Sequence, residues 1–219
     1  MKILFEDKYL IICEKPIGVQ SQSSTDGKDM PSLLEKYRRD KGEDGYVGVI
    51  HRLDTATGGV MIYAKEKSVA GKLSQLIQGD IYQKEYLAVV DGKPENEAGE
   101  LRDLLYHDKQ KNKSYVVKKL RNGVKEAIAN YRLVKTVELD GGRAVSLVSV
   151  RLITGRTHQI RVQFASRGMP LLGDGKYGSR DNAATLALWA RKLEIIHPVT
   201  NKKICVESCP PDTYPWTLF

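Results

Sequence analysis

The stretch "VIHRLDTATGGVMIYAK", residues 49–65, sets two apolar runs on either side of a short polar turn. Val47 and Val49 before the turn, and Val60, Ile62 and Ala64 after it, alternate as strand residues do. His51, Arg52 and Asp54 lie in the connection, which is therefore expected to be gripped by sheet at both ends. Rigid flanks hold a short loop accurately, which makes it a good place for chemistry. Judged from its loop position alone, Asp54 has a plainer reading as a surface residue or an Asx cap.

Working outward, "YLIICEKPIGVQSQ" (9–22) begins as a buried strand and breaks at Pro16 and Gly18. A polar loop follows, then a short helix with Leu33, Leu34 and Tyr37 as its apolar side. Residues 66–79, "EKSVAGKLSQLIQG", place Val69, Leu73, Leu76 and Ile77 at helical spacing and end in Gly79. In the next run, "IYQKEYLAVVDG" (81–92), Tyr82, Lys84, Tyr86 and Ala88 share one strand face. "NYRLVKTVEL" (130–139) and "RAVSLVSVRL" (143–152) form a hairpin across Asp140-Gly141-Gly142. Thr157 is placed to cap a helix over "HQIRVQFASR", with Ile160 and Phe164 inward and Gly168 at its end. Arg161 and Arg167 are left to face solvent or phosphates. The tail 184–208 adds strands around an "HPVTN" turn. The pattern is α+β with sheet dominating, lacks a βαβ repeat, and is read as one domain over 1–219.

The 219 residues are 41% hydrophobic and 28% charged, which excludes wholesale disorder. The net charge of +8, from 35 Lys and Arg against 27 Asp and Glu, favours a polyanionic partner. No apolar run nears the roughly 20 residues of a spanning helix, and the amino terminus lacks a signal-peptide layout. A cytoplasmic protein without membrane association is expected. Cys13, Cys205 and Cys209 make an odd set. A zinc site using Cys205, Cys209 and His197 is the weaker reading, and reduced free thiols the stronger.

Residues 102–125, "RDLLYHDKQKNKSYVVKKLRNGVK", hold eight Lys or Arg and two acids. Lys109, Lys111 and Lys113 alternate, and Lys118, Lys119 and Arg121 follow. On a hairpin this spacing tracks a phosphate backbone; the bland reading is a solvated charged loop. With few aromatic residues present, a folded RNA met through backbone and shape fits better than a stacking platform. "LLGDGKYGSRD" (171–181) is Gly-rich but matches neither a phosphate loop nor a dinucleotide fingerprint.

Four blocks, "HRLDTATGG" (51–59) with its following "AK", "KEY" (84–86), "GRTHQIRV" (155–162) and "PLLGDGKYG" (170–178), together with "FEDKYLIICEKPIG" (5–18), resemble the RluA-type pseudouridine synthases in content, order and spacing. The resemblance covers nearly the whole chain. It implies a pseudouridine synthase-like catalytic domain with a mainly antiparallel mixed β-sheet core flanked by helices and loops. It also implies isomerisation of uridine to pseudouridine in structured RNA, ribosomal slightly ahead of transfer RNA, with no cofactor, no metal and no obligatory protein partner. By the same resemblance Asp54 is the catalytic aspartate, Tyr86 stacks on the target base, and Arg156 pairs with the aspartate. Arg52 acts near the vacated base position. A separate amino-terminal S4-like domain has no room here, so a compact form is expected. Three departures stand out: Gly58 for the usual serine, and Gln163 and Trp189 for usual histidines.

The isomerisation breaks N1–C1′ and makes C5–C1′ with no change in composition. Asp54 suits it as a nucleophile at C6 or C1′, or as the base that takes the C2′ proton to give a glycal; the residues do not choose. Arg156 keeps the carboxylate ionised, with phosphate binding as its other reading, and Arg161 is a further candidate for RNA. The target nucleotide is flipped, at a few kcal/mol of unstacking, which Arg52 offsets. His51 orders the loop or contacts RNA. Lys84 contacts phosphate or snorkels at a strand edge. Two other classes compete. The first alternative is a noncatalytic RNA-binding or ribosome-assembly module that retains the fold, against which the intact Asp54, Tyr86 and Arg156 argue. A hydrolase would need a second positioned carboxylate or clustered metal ligands.

Overall fold

The computed structural model describes residues 1–77 and 83–219; Gly79, Ile81 and Tyr82 of the expected helix end and strand start lie outside them. The first elements are β1 (Lys2–Glu6), β2 (Leu10–Lys15), α1 (Met30–Asp40), β3 (Gly48–Val49), β4 (Gly58–Ala64) and α2 (Lys67–Leu76). Then come β5 (Gln83–Asp91), β6 (Ala98–Asp108), β7 (Lys113–Val117), β8 (Val124–Leu139) and β9 (Arg143–Leu152). The chain ends through α3 (Gln159–Ala165), β10 (Leu188–Ile196) and β11 (Lys203–Glu207). It forms two compact units, residues 1–84 with 189–210, and residues 85–188 with 211–219. No helix among the described residues is long and apolar enough to cross a membrane.

In the first unit the strands run β1-β2-β4-β10, with β3 on β4 and β11 on β10. β2 and β4 are antiparallel, whereas β4 and β10 are parallel, with Gly58 opposite Trp189 and Gly59 opposite Ala190. All seven residues of β4 are buried, so "GGVMIYA" reads as a continuous apolar run rather than a clean alternation. Val60, Ile62 and Ala64 join Leu10 and Ile12 in a core closed by Val69 and Leu73 of α2. Helix α1 opens on Asp29, whose carboxylate accepts the Ser32 N–H at 2.8 Å.

The expected apolar face of α1 is corrected. Leu34 is buried, but Leu33 is 41% exposed, and Arg38, one turn after Leu34, takes the inner position. Arg38 can be buried because its guanidinium pairs with Glu43 and Asp44 and donates to the carbonyls of Tyr46 and Lys65.

The second unit is an antiparallel run β5-β9-β8-β6-β7. The β8–β9 hairpin closes with Leu139 opposite Arg143, where Gly141 and Gly142 hold φ of +82° and +77°. Residues 102–125 form most of β6, all of β7 and the start of β8, so the cationic run is a hairpin. Helix α3 buries Ile160 and Phe164 as expected, and Phe164 meets the Tyr131 ring edge-on.

Thr157 does not cap this helix. The residue before it is His158, in left-handed backbone at φ 55°, and no side chain caps the first turn. Gln159 organises the approach instead. Its Oε1 accepts from Thr154 Oγ1 and Arg156 N, and its Nε2 donates to Ile128 O.

Candidate active site and basic face

The Asp54 turn is held by groups that nothing in its own sequence announces. Lys15, fully buried, donates from Nζ to the carbonyls of Pro16 (2.9 Å), Val19 (2.6 Å) and Thr55 (3.1 Å). Burial pushes its ammonium down to about 8, and the Asp54 carboxylate opposes that shift. Ser21 Oγ donates to Leu53 O at 2.7 Å and accepts the Leu53 N–H at 3.0 Å. Thr57 N–H closes the turn on Asp54 O at 2.9 Å. Asp54 itself is half-buried. A carboxylate here is carried on a backbone fixed from both sides.

The turn's exit explains two departures as one. A Cβ on Gly58 would fall 2.2 Å from Cζ3 of Trp189, so the indole occupies the space that a serine side chain would need. Trp189 is buried and donates from Nε1 to Ser208 O at 3.2 Å. Gly59, at φ +114°, lies so close to β10 that a Cβ would meet Ala190 O at 2.2 Å.

The other first-unit candidates divide by exposure. His51 is buried, and its Nε2 accepts the Ile62 N–H at 3.3 Å. Burial, and then the Lys84 charge, hold its pKa well below the usual histidine range against an opposing bond to the Arg52 backbone. A neutral ring bound to β4 favours loop ordering of its two roles. Arg52 is exposed and meets Gln22 Oε1 at 3.4 Å. Burial pushes the Lys84 ammonium down to about 7, far from a plain surface lysine.

In the second unit Tyr86 is buried on β5 opposite Val150. Arg156 is exposed; its Nε donates to Glu126 O at 2.9 Å, and its backbone N–H is bound by Gln159. Arg161 does not face solvent. It is buried and gripped by Asp174 through Nε at 2.7 Å and Nη2 at 2.8 Å, with its guanidinium 5.1 Å from the Tyr177 ring centre. Arg167 likewise pairs with Asp103 at 2.9 Å. Gln163 is a buried junction, donating from Nε2 to Leu101 O, Asp103 Oδ2 and Ala127 O. Asp174 and Tyr177 belong to the fourth motif block, yet their tie to Arg161 was not visible in the sequence.

Lys109, Lys111, Lys118, Lys119 and Arg121 are exposed, as a phosphate-tracking face requires. Lys113 is half-buried, its ammonium 5.2 Å from the Tyr177 ring centre, and Arg121 lies over Tyr106 at 5.2 Å. Among the described residues no three His, Cys, Asp or Glu side chains gather to hold a metal. The three cysteines are free. His197 Nδ1 accepts the N–H groups of Val199 and Thr200, and its Nε2 lies 2.9 Å from Asp7.

A family model described as RNA pseudouridylate synthase matches residues 9–166. An uncharacterised RNA pseudouridine synthase, YhcT of Bacillus subtilis, is 30% identical over 95% of this chain and 68% of its own length. Ribosomal large subunit pseudouridine synthase C of Buchnera aphidicola is 32% identical over 93% of this chain, which spans 65% of that protein. Among solved structures, human RNA pseudouridylate synthase domain containing 4 aligns over 99% of this chain and 91% of its own, with a TM-score of 0.79 and 24% identity, a likeness of fold.

Proposed function

The chain belongs to the RNA pseudouridylate synthase family, and from that premise we propose an RluA-type enzyme that converts particular uridines of structured RNA to pseudouridine, with Asp54 as the essential carboxylate. One observation carries the residue assignment. Asp54 sits on a turn whose backbone is fastened by Lys15 and Ser21, so the carboxylate is presented with little conformational freedom to lose. Under either chemical route, addition to the ring or sugar or removal of the C2′ proton, the reaction needs one positioned anion. The detached uracil must then turn and rejoin at C5 without escaping.

Tyr86 is proposed to cover one face of the flipped base and Arg52, exposed beside the turn, to offset part of the unstacking. The "GRTHQIRV" block supplies two guanidinium groups. The resemblance assigns the aspartate's partner to Arg156; Arg161, buried and fixed by Asp174, is the stiffer of the two, and substitution of each in turn decides between them. Residues 1–219 act together as one catalytic domain in this reading. Ribosomal RNA is favoured because several relatives carry that substrate in their names. A cytoplasmic setting agrees with three free thiols.

The test is incubation with uridine-containing RNA and base-resolved detection of pseudouridine. Wild type is expected to act without added metal or nucleotide, and Asp54→Asn to lose activity while melting as wild type does. Full activity in that variant would remove Asp54 from the chemistry.

A further inference from the structure

The tip of the β6–β7 hairpin, the start of β8 and the turn at 155–157 line a groove of about 780 Å³ in the second unit, within the size range of small-ligand sites. Three cations open onto it: Lys109, Lys125 and Arg156. Lys125 belongs to no motif block. Among the described residues that line it the one acid is Asp108, which is engaged by the hairpin turn, its Oδ1 accepting the N–H groups of Gln110 and Lys111.

His107 lines the same groove, and its tautomer follows from its neighbours. Ser114 is buried, and its N–H goes to Tyr177 OH at 2.8 Å, which fixes the residue. Its hydroxyl donates to Thr157 O at 2.6 Å, which uses its single proton. The 3.2 Å contact between Ser114 Oγ and His107 Nδ1 therefore has the ring N–H as donor. In the neutral imidazole this makes Nε2 an acceptor, on a ring whose orientation is set by a buried serine.

We propose that this groove is a subsite for an unpaired nucleotide of the substrate RNA other than the target uridine. Lys109 and Lys125 take its phosphates, and His107 Nε2 accepts an N–H from its base. The inference rests on the RNA-modifying reading above and deepens it. A nucleic acid is the occupant because the groove's lining joins cations suited to phosphates with an imidazole acceptor suited to a base N–H. The exposed Lys111, Lys118 and Lys119 of the same hairpin region extend the basic surface beyond it.

His107→Asn keeps a donor for Ser114 and loses the Nε2 acceptor, whereas His107→Gln keeps a group at the Nε2 position. With in vitro transcribed large-subunit ribosomal RNA as probe, His107→Asn is expected to raise KM about three- to tenfold, the worth of one hydrogen bond. kcat stays within about twofold, and His107→Gln recovers most of the loss. Lys125→Ala is expected to lower the salt slope of binding by about 1. Photo-crosslinking of the wild-type protein to 4-thiouridine-substituted transcript, read by peptide mass spectrometry, should give adducts within 106–110. An active wild type with unchanged KM in His107→Asn, or with adducts only elsewhere, overturns the subsite and leaves the isomerase reading. RNA binding that depends on His107 without pseudouridine formation overturns the isomerase reading and leaves the subsite. No binding at all overturns both.

Discussion

Substituting Gly58 by alanine adds one methyl group at the most crowded point beside the Asp54 turn. That carbon would lie 2.2, 2.8 and 3.0 Å from Cζ3, Cε3 and Cη2 of Trp189, where aromatic and aliphatic carbons rest at about 3.5–4.0 Å. The indole has to retreat by more than 1 Å, yet it is 3% exposed and tethered through Nε1 to Ser208. Overpacking of this kind costs about 1–3 kcal/mol. For a chain of this size that is a fall in Tm of roughly 3–10 °C. Trp189→Ala alone opens a cavity, at about 3–5 kcal/mol. In the double variant the added methyl meets open space, so the Gly58→Ala penalty should shrink or vanish, giving a coupling of about 1–3 kcal/mol in the cycle. Gly59→Ala is the control: its obstacle is the Ala190 backbone, and removing the indole should not relieve it. Thermal melts by circular dichroism measure all four corners. Additivity within about 0.5 kcal/mol would show that the two residues do not share the space and would sink the reading of Gly58 and Trp189 as one paired departure.

Asp174→Asn should destabilise by about 3–5 kcal/mol, because it removes the carboxylate that grips the buried Arg161 guanidinium through two bonds, whereas Arg156→Gln, at an exposed position, should melt within about 0.5 kcal/mol of wild type; equal melting of all three proteins refutes the contrast. Lys84 has a folded pKa near 7 against 10.5 for the free side chain, so the unfolded chain binds more protons between those values and stability rises with pH across that window. Lys84→Met should flatten that rise in denaturant titrations, leaving the smaller contribution of Lys15 from about pH 8; an unchanged slope refutes it. Lys15→Met strands three carbonyls around the Asp54 turn and should cost about 1–3 kcal/mol, with a loss in kcat exceeding that in KM; wild-type kcat would free the turn from this anchor. Replacing Lys111, Lys118 and Lys119 together should cut the salt slope of RNA binding by about 3, and an unchanged slope would return the hairpin to solvent.

What could be read from the sequence was local. The β4 run, the β8–β9 hairpin at Asp140–Gly142 and the inward Ile160 and Phe164 follow from apolar spacing and turn chemistry within a few residues. What escaped was long-range pairing. The inner place of Arg38 on α1 could not be read from apolar spacing, because its burial depends on Glu43 and Asp44 beyond the helix end. Trp189 and Gly58 stood as separate oddities because only the parallel register of β4 and β10 brings them together. Thr157 met the composition of a cap, but the left-handed backbone at His158 moved the helix start beyond its reach. Arg161 reads as a solvent or phosphate residue because Asp174, which grips its guanidinium, stands in a different block.

The hydroxyl of Tyr177 receives the Ser114 N–H and lies 2.9 Å from His158 Nδ1, so one oxygen joins the hairpin, the approach to α3 and the "GDGKYG" loop. Outward of Ser114, the tip at 109–112 is held mainly by its own Asp108 turn and one bond from Lys176 to Asn112 O. The hairpin thus has an interchangeable head on a welded root. On the RNA-binding reading proposed above, tips of other lengths and charges grafted between Asp108 and Lys113 are expected to change which RNA is held, provided the graft stops short of that serine.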